Sequence, residues 1–174
     1  MISPDWCRLM AAYNAEMNRR LYAAADTLDE AARRADGGAF WGSIHGTLSH
    51  LLWGDTVWMS RFDGWEKPAV GMKDSPRMIE DWAALKAARA DADVRIAAWA
   101  AGLDEARLAG PLTWVSNLAG REVTRPLWVL VTHFFNHQTH HRGQAHALLT
   151  RAGEATGDTD LPWVVDLEAL GIRG

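Results

Sequence analysis

Four long stretches of this chain carry apolar residues at helical spacing, separated by glycine- and proline-bearing breaks, a pattern that favours helices packed on helices. The first begins at Ser3-Pro4-Asp5, a serine cap followed by proline at the first helical position, and runs through Leu9, Met10, Tyr13, Met17 and Leu21 to a stop at Asp36-Gly37-Gly38. The second runs from about Trp41 to Phe62 and ends at Asp63-Gly64, after which the segment to Ser75 reads as a loop. The third starts at Ser75-Pro76 and continues through Ile79, Trp82, Leu85, Val94 and Trp99 to Gly102, with an alanine-rich middle. The fourth follows Pro126 and extends to about Ala152. Between the third and fourth the period changes: Leu112–Ser116 and Arg121–Arg125 flank Asn117-Leu118-Ala119-Gly120 like the arms of a short hairpin. A polar loop, Gly153–Asp160, precedes a short terminal helix from about Pro162 to Leu170. The expected fold is all-α: a four-helix bundle with a hairpin-like insertion before the fourth helix and a short C-terminal helix, formed by residues 1–174 as one domain.

Composition removes several classes of function. A chain of 174 residues with 48% apolar content can bury a sizeable core, so no metal is needed merely to fold it. The net charge of -4, with both signs interspersed, offers no basic stripe for nucleic acid and nothing to attract an anionic membrane surface. The first residues lack a basic start followed by an apolar run, and no stretch approaches the roughly 18 apolar residues of a membrane span, so a cytoplasmic protein is expected. Cys7 is the single cysteine, which excludes an internal disulfide and any thiolate-rich zinc site, and it reads as a buried inert thiol. Ten scattered tryptophans read as core and interface fillers.

The histidines are the chemically informative residues. His133, His137, His140 and His141 fall within one segment of the fourth helix, where histidine is a mediocre helix former but the commonest metal-ligating side chain. At about 100° per residue, His137 and His141 point about 40° apart, and the direction midway between them coincides with Leu130 and Leu148. That pair is aimed into or beside the core, one turn apart, as two adjacent ligands of a single ion would be. His133 continues the row toward its edge and suits a neighbouring role, while His140, His45 and His146 read as surface or boundary residues. An uncompensated imidazole pair against leucine would be costly, and either a metal or a hydrogen-bonded network would remove that cost. An isolated HxxxH also arises from surface histidines, so a third group matters.

Helix two supplies it. His50 has Gly46 and Gly54 four residues to either side, so the helix face above and below it lacks side chains, leaving room for close approach or a cavity, although His50 sits at the border of the apolar stripe Ile44, Leu48, Leu51, Trp58 and Phe62. Two metal motifs can be set aside. A zincin needs glutamate directly after the first histidine, where this chain has Gln138, and di-iron bundles need ExxH, which does not occur.

The run Asn136-His137-Gln138-Thr139-His140-His141-Arg142-Gly143-Gln144-Ala145-His146 closely resembles the signature of the DinB/YfiT-like family of metalloenzymes, and Leu48-Ser49-His50-Leu51-Leu52-Trp53-Gly54-Asp55 resembles its helix-two motif. The HxxxHRGQ portion is specific and the helix-two portion much less so. The resemblance implies a four-helix bundle, a divalent ion (nickel, zinc or iron-like) held by three histidines that map onto His50, His137 and His141, and frequent homodimers. It also implies thiol-dependent transferases and isomerases among the relatives, using low-molecular-weight thiols such as bacillithiol or mycothiol.

The functional expectation is a metal-dependent enzyme acting on a small molecule, either a thiol-dependent S-transferase or a related hydrolase. The alternative is a non-catalytic dimeric bundle that binds a metal or small ligand. Three protein ligands with an open position are the catalytic pattern. Gln144 lies along the histidine stripe as a residue that could orient a ligand, Arg142 points away from it and reads first as a surface or inter-helix salt bridge and only second as an anion anchor, and Asp55 is expected to pair with a basic residue. No catalytic side chain or organic cofactor site is assigned.

Overall fold

The computed structural model describes residues 1–116 and 119–172. It is mostly helical, with one two-stranded antiparallel sheet. Four long helices, α1 (Pro4–Asp26), α3 (Ile44–Phe62), α4 (Trp82–Ala101) and α6 (Leu127–Arg151), carry the core; α1 packs on α4 and α6, and α3 packs on α6 and α4. Short helices α2 (Glu30–Arg34), α5 (Glu105–Ala109) and α7 (Leu161–Val164) lie in the connections. None of the described helices is long and apolar enough to cross a membrane.

Helix boundaries follow side chains that capture free backbone N–H groups. Ser3 Oγ accepts from Trp6 N at 3.1 Å, with Pro4 at the first helical position, as the sequence suggests. The first helix does not run to Asp36, however. Thr27 Oγ1 donates back to the Ala24 carbonyl at 2.6 Å, and Asp29 caps a new short helix by accepting from Ala32 N, so local side-chain bonds break the run in two. The second long helix starts at Ile44, not Trp41, because Ser43 is its cap.

The third helix gives the largest correction. Ser75-Pro76 does not start it; both lie in a 3-10 turn, Met72–Arg77, and the helix begins at Trp82 with Asp81 accepting from Ala84 N at 2.7 Å. Ser75 is fully buried against α3 because its hydroxyl is committed elsewhere, as described below. The terminal helix is also shorter than expected, a single turn with residues 167–171 in turn conformation.

Strands β1 (Pro111–Ser116) and β2 (Arg121–Pro126) pair with Trp114 opposite Val123, and the Thr113 and Thr124 hydroxyls meet at 2.8 Å. The expected turn residues Asn117 and Leu118 lie outside the described residues. Leu48, Leu51, Leu85, Ile96, Val131, Phe134 and Leu149 fill the core, and Cys7 is buried with them, its thiol pushed up to about 11 by burial and therefore unreactive. Most tryptophans are half-buried; Trp163 is 85% exposed and fills no core position.

A polar cluster lies inside the helices. Arg89 of α4 bonds Asp55 of α3 at 2.5 Å and Asp93 one turn along its own helix at 2.8 Å, and Asn18 of α1 donates to Asp93 at 2.9 Å. Asp55 thus has the basic partner its position called for. Gln138 is wholly buried in α6, and it cannot act as the general base of a zincin.

Candidate metal centre

The helices bring three of the seven histidines to one point. His50 of α3 and His137 and His141 of α6 each offer a ring nitrogen, and these atoms lie within 4.8 Å of one another. The imidazole centroids are 4.6 Å apart for His50–His141, 4.5 Å for His137–His141 and 5.5 Å for His50–His137. Two come from consecutive turns of one helix, as rotation about α6 requires, and the third crosses from its neighbour.

The glycines around His50 serve close packing and leave no cavity. A Cβ on Gly54 would sit 2.7 Å from Cε1 of His137, so the bare backbone there is what admits the His137 ring between the helices. At Gly46 a Cβ would meet the Trp41 carbonyl oxygen at 2.6 Å, which fixes the entry loop against α3. Trp41 then lies stacked on His50, centroids 3.9 Å apart, and Trp53 lies near the same ring at 5.6 Å. These two tryptophans shield the site as well as filling space.

Hydrogen bonds fix two of the ring orientations. Ser75 Oγ lies 2.7 Å from His50 Nδ1, and its own proton goes to the Met72 carbonyl at 2.6 Å. His50 Nδ1 must therefore be the donor, and Nε2 keeps the lone pair. In His141, Nδ1 lies 2.8 Å from Gln144 Oε1, an acceptor, so Nδ1 again donates and Nε2 is free. The Gln144 amide is held in that sense because its nitrogen donates to His140 Nε2 at 3.2 Å. Such outer partners are how proteins orient imidazole ligands.

Electrostatics keep the three rings neutral. Burial, followed by the neighbouring imidazoles of His141 and His137, pushes His50 down to about 3. Burial first, then His141, His133 and His140, takes His137 down to about 4, and burial also lowers His141 against the opposing effect of the Gln144 bond. Neutral imidazoles, each with one nitrogen carrying a lone pair, are the form that binds a cation. The donor set suits a divalent ion of intermediate softness such as zinc, nickel or iron. Nitrogens bound to one zinc ion at about 2.0–2.1 Å stand about 3.3 Å apart, so the rings need only a modest closure.

Other residues depart from expectation. His50 is 2% exposed instead of lying at a border, because the 3-10 turn covers the outer side of α3. His45 is equally buried and donates through Nε2 to the Ile79 carbonyl at 2.9 Å; its partner comes from the same covering segment. His140 is exposed and His146 half-buried, in line with surface and boundary roles. His133 stands beside the cluster, 5.9 Å from His137 and 5.1 Å from Trp58 between ring centroids, as a wall residue. Arg142 is 5% exposed, so it is not a surface residue, and among the described residues it forms no salt bridge; its guanidinium bonds Asn14 Oδ1 in the interior. Ser75 had no signal in sequence as a partner of His50, since a Ser-Pro pair ordinarily marks a helix start. Gln144 did, three residues beyond His141.

A predominantly helical protein in which three neutral imidazoles from two adjacent helices converge belongs to the class of histidine-centred helical proteins suited to a divalent ion. Its sequence matches the model of the DinB family over residues 3–173, and the chain belongs to that family. No curated protein and no solved structure gives a significant match.

Proposed function

We propose that the protein is a four-helix-bundle enzyme that uses a divalent ion held by His50, His137 and His141 to act on a small molecule, in the first instance as a thiol-dependent S-transferase. The observation that carries this reading is the pair of imidazoles, His50 and His141, whose Nδ1 protons are taken by Ser75 and Gln144, leaving Nε2 lone pairs in a three-nitrogen cluster. A divalent ion there would supply Lewis acidity, lowering the pKa of a water or thiol that reaches it. Thiol use separates the transferase from the related hydrolase, and membership of the DinB family favours the former.

The chain's own residues supply orientation and shelter. Ser75 and Gln144 hold two rings in one tautomer, Gly54 admits the third, and Trp41 and Trp53 keep water from the His50 face. Partial exposure of His137, with the exposed His133 and His140 nearby, leaves an approach from solvent. Protein purified without a histidine tag should carry one equivalent of a nickel, zinc or iron-like ion, and His137→Ala should lose it. Adding a small thiol to cobalt-substituted protein should change its absorption. Absence of stoichiometric metal, with equal stability of His137→Ala, would leave the alternative of a non-catalytic bundle, homodimeric or ligand-binding, whose oligomeric state light scattering would give.

A further inference from the structure

The reverse side of α6 carries a second feature. A cavity of about 490 Å³, within the range of small-molecule sites, lies between α1 and α6 under the segment 157–160. Thr139, Arg142, Gly143 and His146 line it from α6, so the Arg142-Gly143 pair, which plays no part in the histidine cluster, faces this space. The cover is tied down: Tyr13 donates its hydroxyl proton to the Thr159 carbonyl at 2.7 Å, and Arg20 donates to the Asp158 carbonyl at 3.1 Å.

Arg142 is a buried cation with neutral acceptors only. Arg89 already holds both nearby carboxylates, Asp55 and Asp93, while the Arg142 guanidinium bonds Asn14 Oδ1 and, at 3.3 Å, Thr139 Oγ1. Among the described residues no carboxylate is in salt-bridge contact with it. Its five N–H donors exceed the two acceptors it has, and Asp55 and Asp93 act on its charge without touching it, so contact with an anion is still open to it. Gly143 adds an independent argument. Glycine is a poor residue inside a helix, yet a Cβ at Gly143 would meet nothing within 4 Å. Among the described residues no packing contact demands this glycine, which is exposed and lines the cavity mouth without a side chain.

We propose that this cavity is a second ligand site, distinct from the histidine cluster, for a small molecule bearing one oxyanion on a short apolar body. The planar guanidinium fork of Arg142 matches a carboxylate or phosphate group, and Met17 and Leu21 offer the apolar wall. Asp158 and Asp160 at the cover disfavour a polyanion, so a single anionic group set deep against Arg142 is what the site accepts.

The test is titration of the full chain with hexanoate, hexyl phosphate and uncharged hexanol, followed by proton–nitrogen correlation NMR. Hexanoate or hexyl phosphate should shift amides of residues 13–21 and 139–146 with a dissociation constant in about the millimolar range, and whichever binds tells carboxylate from phosphate. Hexanol should bind about tenfold more weakly or not at all. Gly143→Leu, which fills the cavity and improves helix propensity, should stay folded by circular dichroism and weaken the anion about tenfold or more. The proposal is overturned if neither anion shifts those amides, if shifts centre on the histidine cluster alone, if hexanol binds equally well, or if folded Gly143→Leu binds as before.

Discussion

Ser75 Oγ accepts the Nδ1 proton of His50 at 2.7 Å while giving its own proton to the Met72 carbonyl, so a 3-10 turn outside the helices determines which nitrogen of a buried imidazole is free. Ser75→Ala removes the acceptor and leaves the ring orientation unfixed. Metal affinity should fall about 10–100-fold, the usual cost of losing such a partner, as read by competition with a chromophoric chelator. Unchanged affinity would mean that Ser75 is only a packing residue.

Gln144 performs the same service for His141. Gln144→Leu should weaken metal binding about tenfold, whereas Gln144→Glu, which places a carboxylate on the Nδ1 proton and makes the ring a better donor, should hold or strengthen it. The contrast between the two variants, measured by calorimetric titration with zinc, is the informative quantity. Equal loss in both would point to a steric role.

Gly54→Ala places a methyl group against the His137 ring. The ring must swing out or the helices must separate, so bound metal should drop well below one equivalent while circular dichroism stays helical. Some of the strain is offset by the helix propensity of alanine, worth about 1 kcal/mol. Full metal occupancy in this variant would show that α3 and α6 can part at no cost to the cluster.

The metal-free protein should lose stability in acid. An unfolded imidazole titrates near 6.5, whereas His137 titrates at about 4 and His50 at about 3 in the folded chain, with His141 also lowered. Below pH about 6.5 the unfolded chain takes up protons that the folded one refuses, so the stability present above that pH declines progressively until the folded values are reached. Each pKa unit is worth about 1.4 kcal/mol for a buried group, and urea melts between pH 7 and 4 after chelator treatment should show the decline. A flat profile would mean that the folded rings titrate as the unfolded ones do.

Arg89→Met should be strongly destabilising. It leaves the Asp55 and Asp93 carboxylates buried without the cation that contacts them, a loss on the order of 3–5 kcal/mol, visible as a lowered thermal midpoint.

Several of these residues were visible in the sequence and others were not, for physical reasons. Rotation about α6 is a local property, so the convergence of His137 with His141 and the exposure of His140 could be read from spacing, and His50 followed from its glycine neighbours. What those glycines are for could not be read. Only the partner helix shows that Gly54 accommodates a ring and leaves no void. Helix starts marked by Ser3-Pro4 were legible because the cap is local, whereas the same signal at Ser75-Pro76 misled because a tertiary contact had claimed the serine. Arg142 was rightly placed off the histidine stripe, but leaving one face of a helix is not the same as entering water when α1 covers the other.

The buried cluster around Arg89 bears on how the molecule assembles. Its partners come from α3 and from α4 itself, with Asn18 of α1 completing Asp93. An assembly in which α1 and α4 have docked but α3 has not would already enclose the guanidinium without Asp55, and one in which α3 arrives first would strand a carboxylate lacking its full set of donors. Each partial structure thus carries an electrostatic penalty that only simultaneous docking relieves. The cluster should therefore sharpen cooperativity, making the helices that frame the histidines come and go together in a single transition.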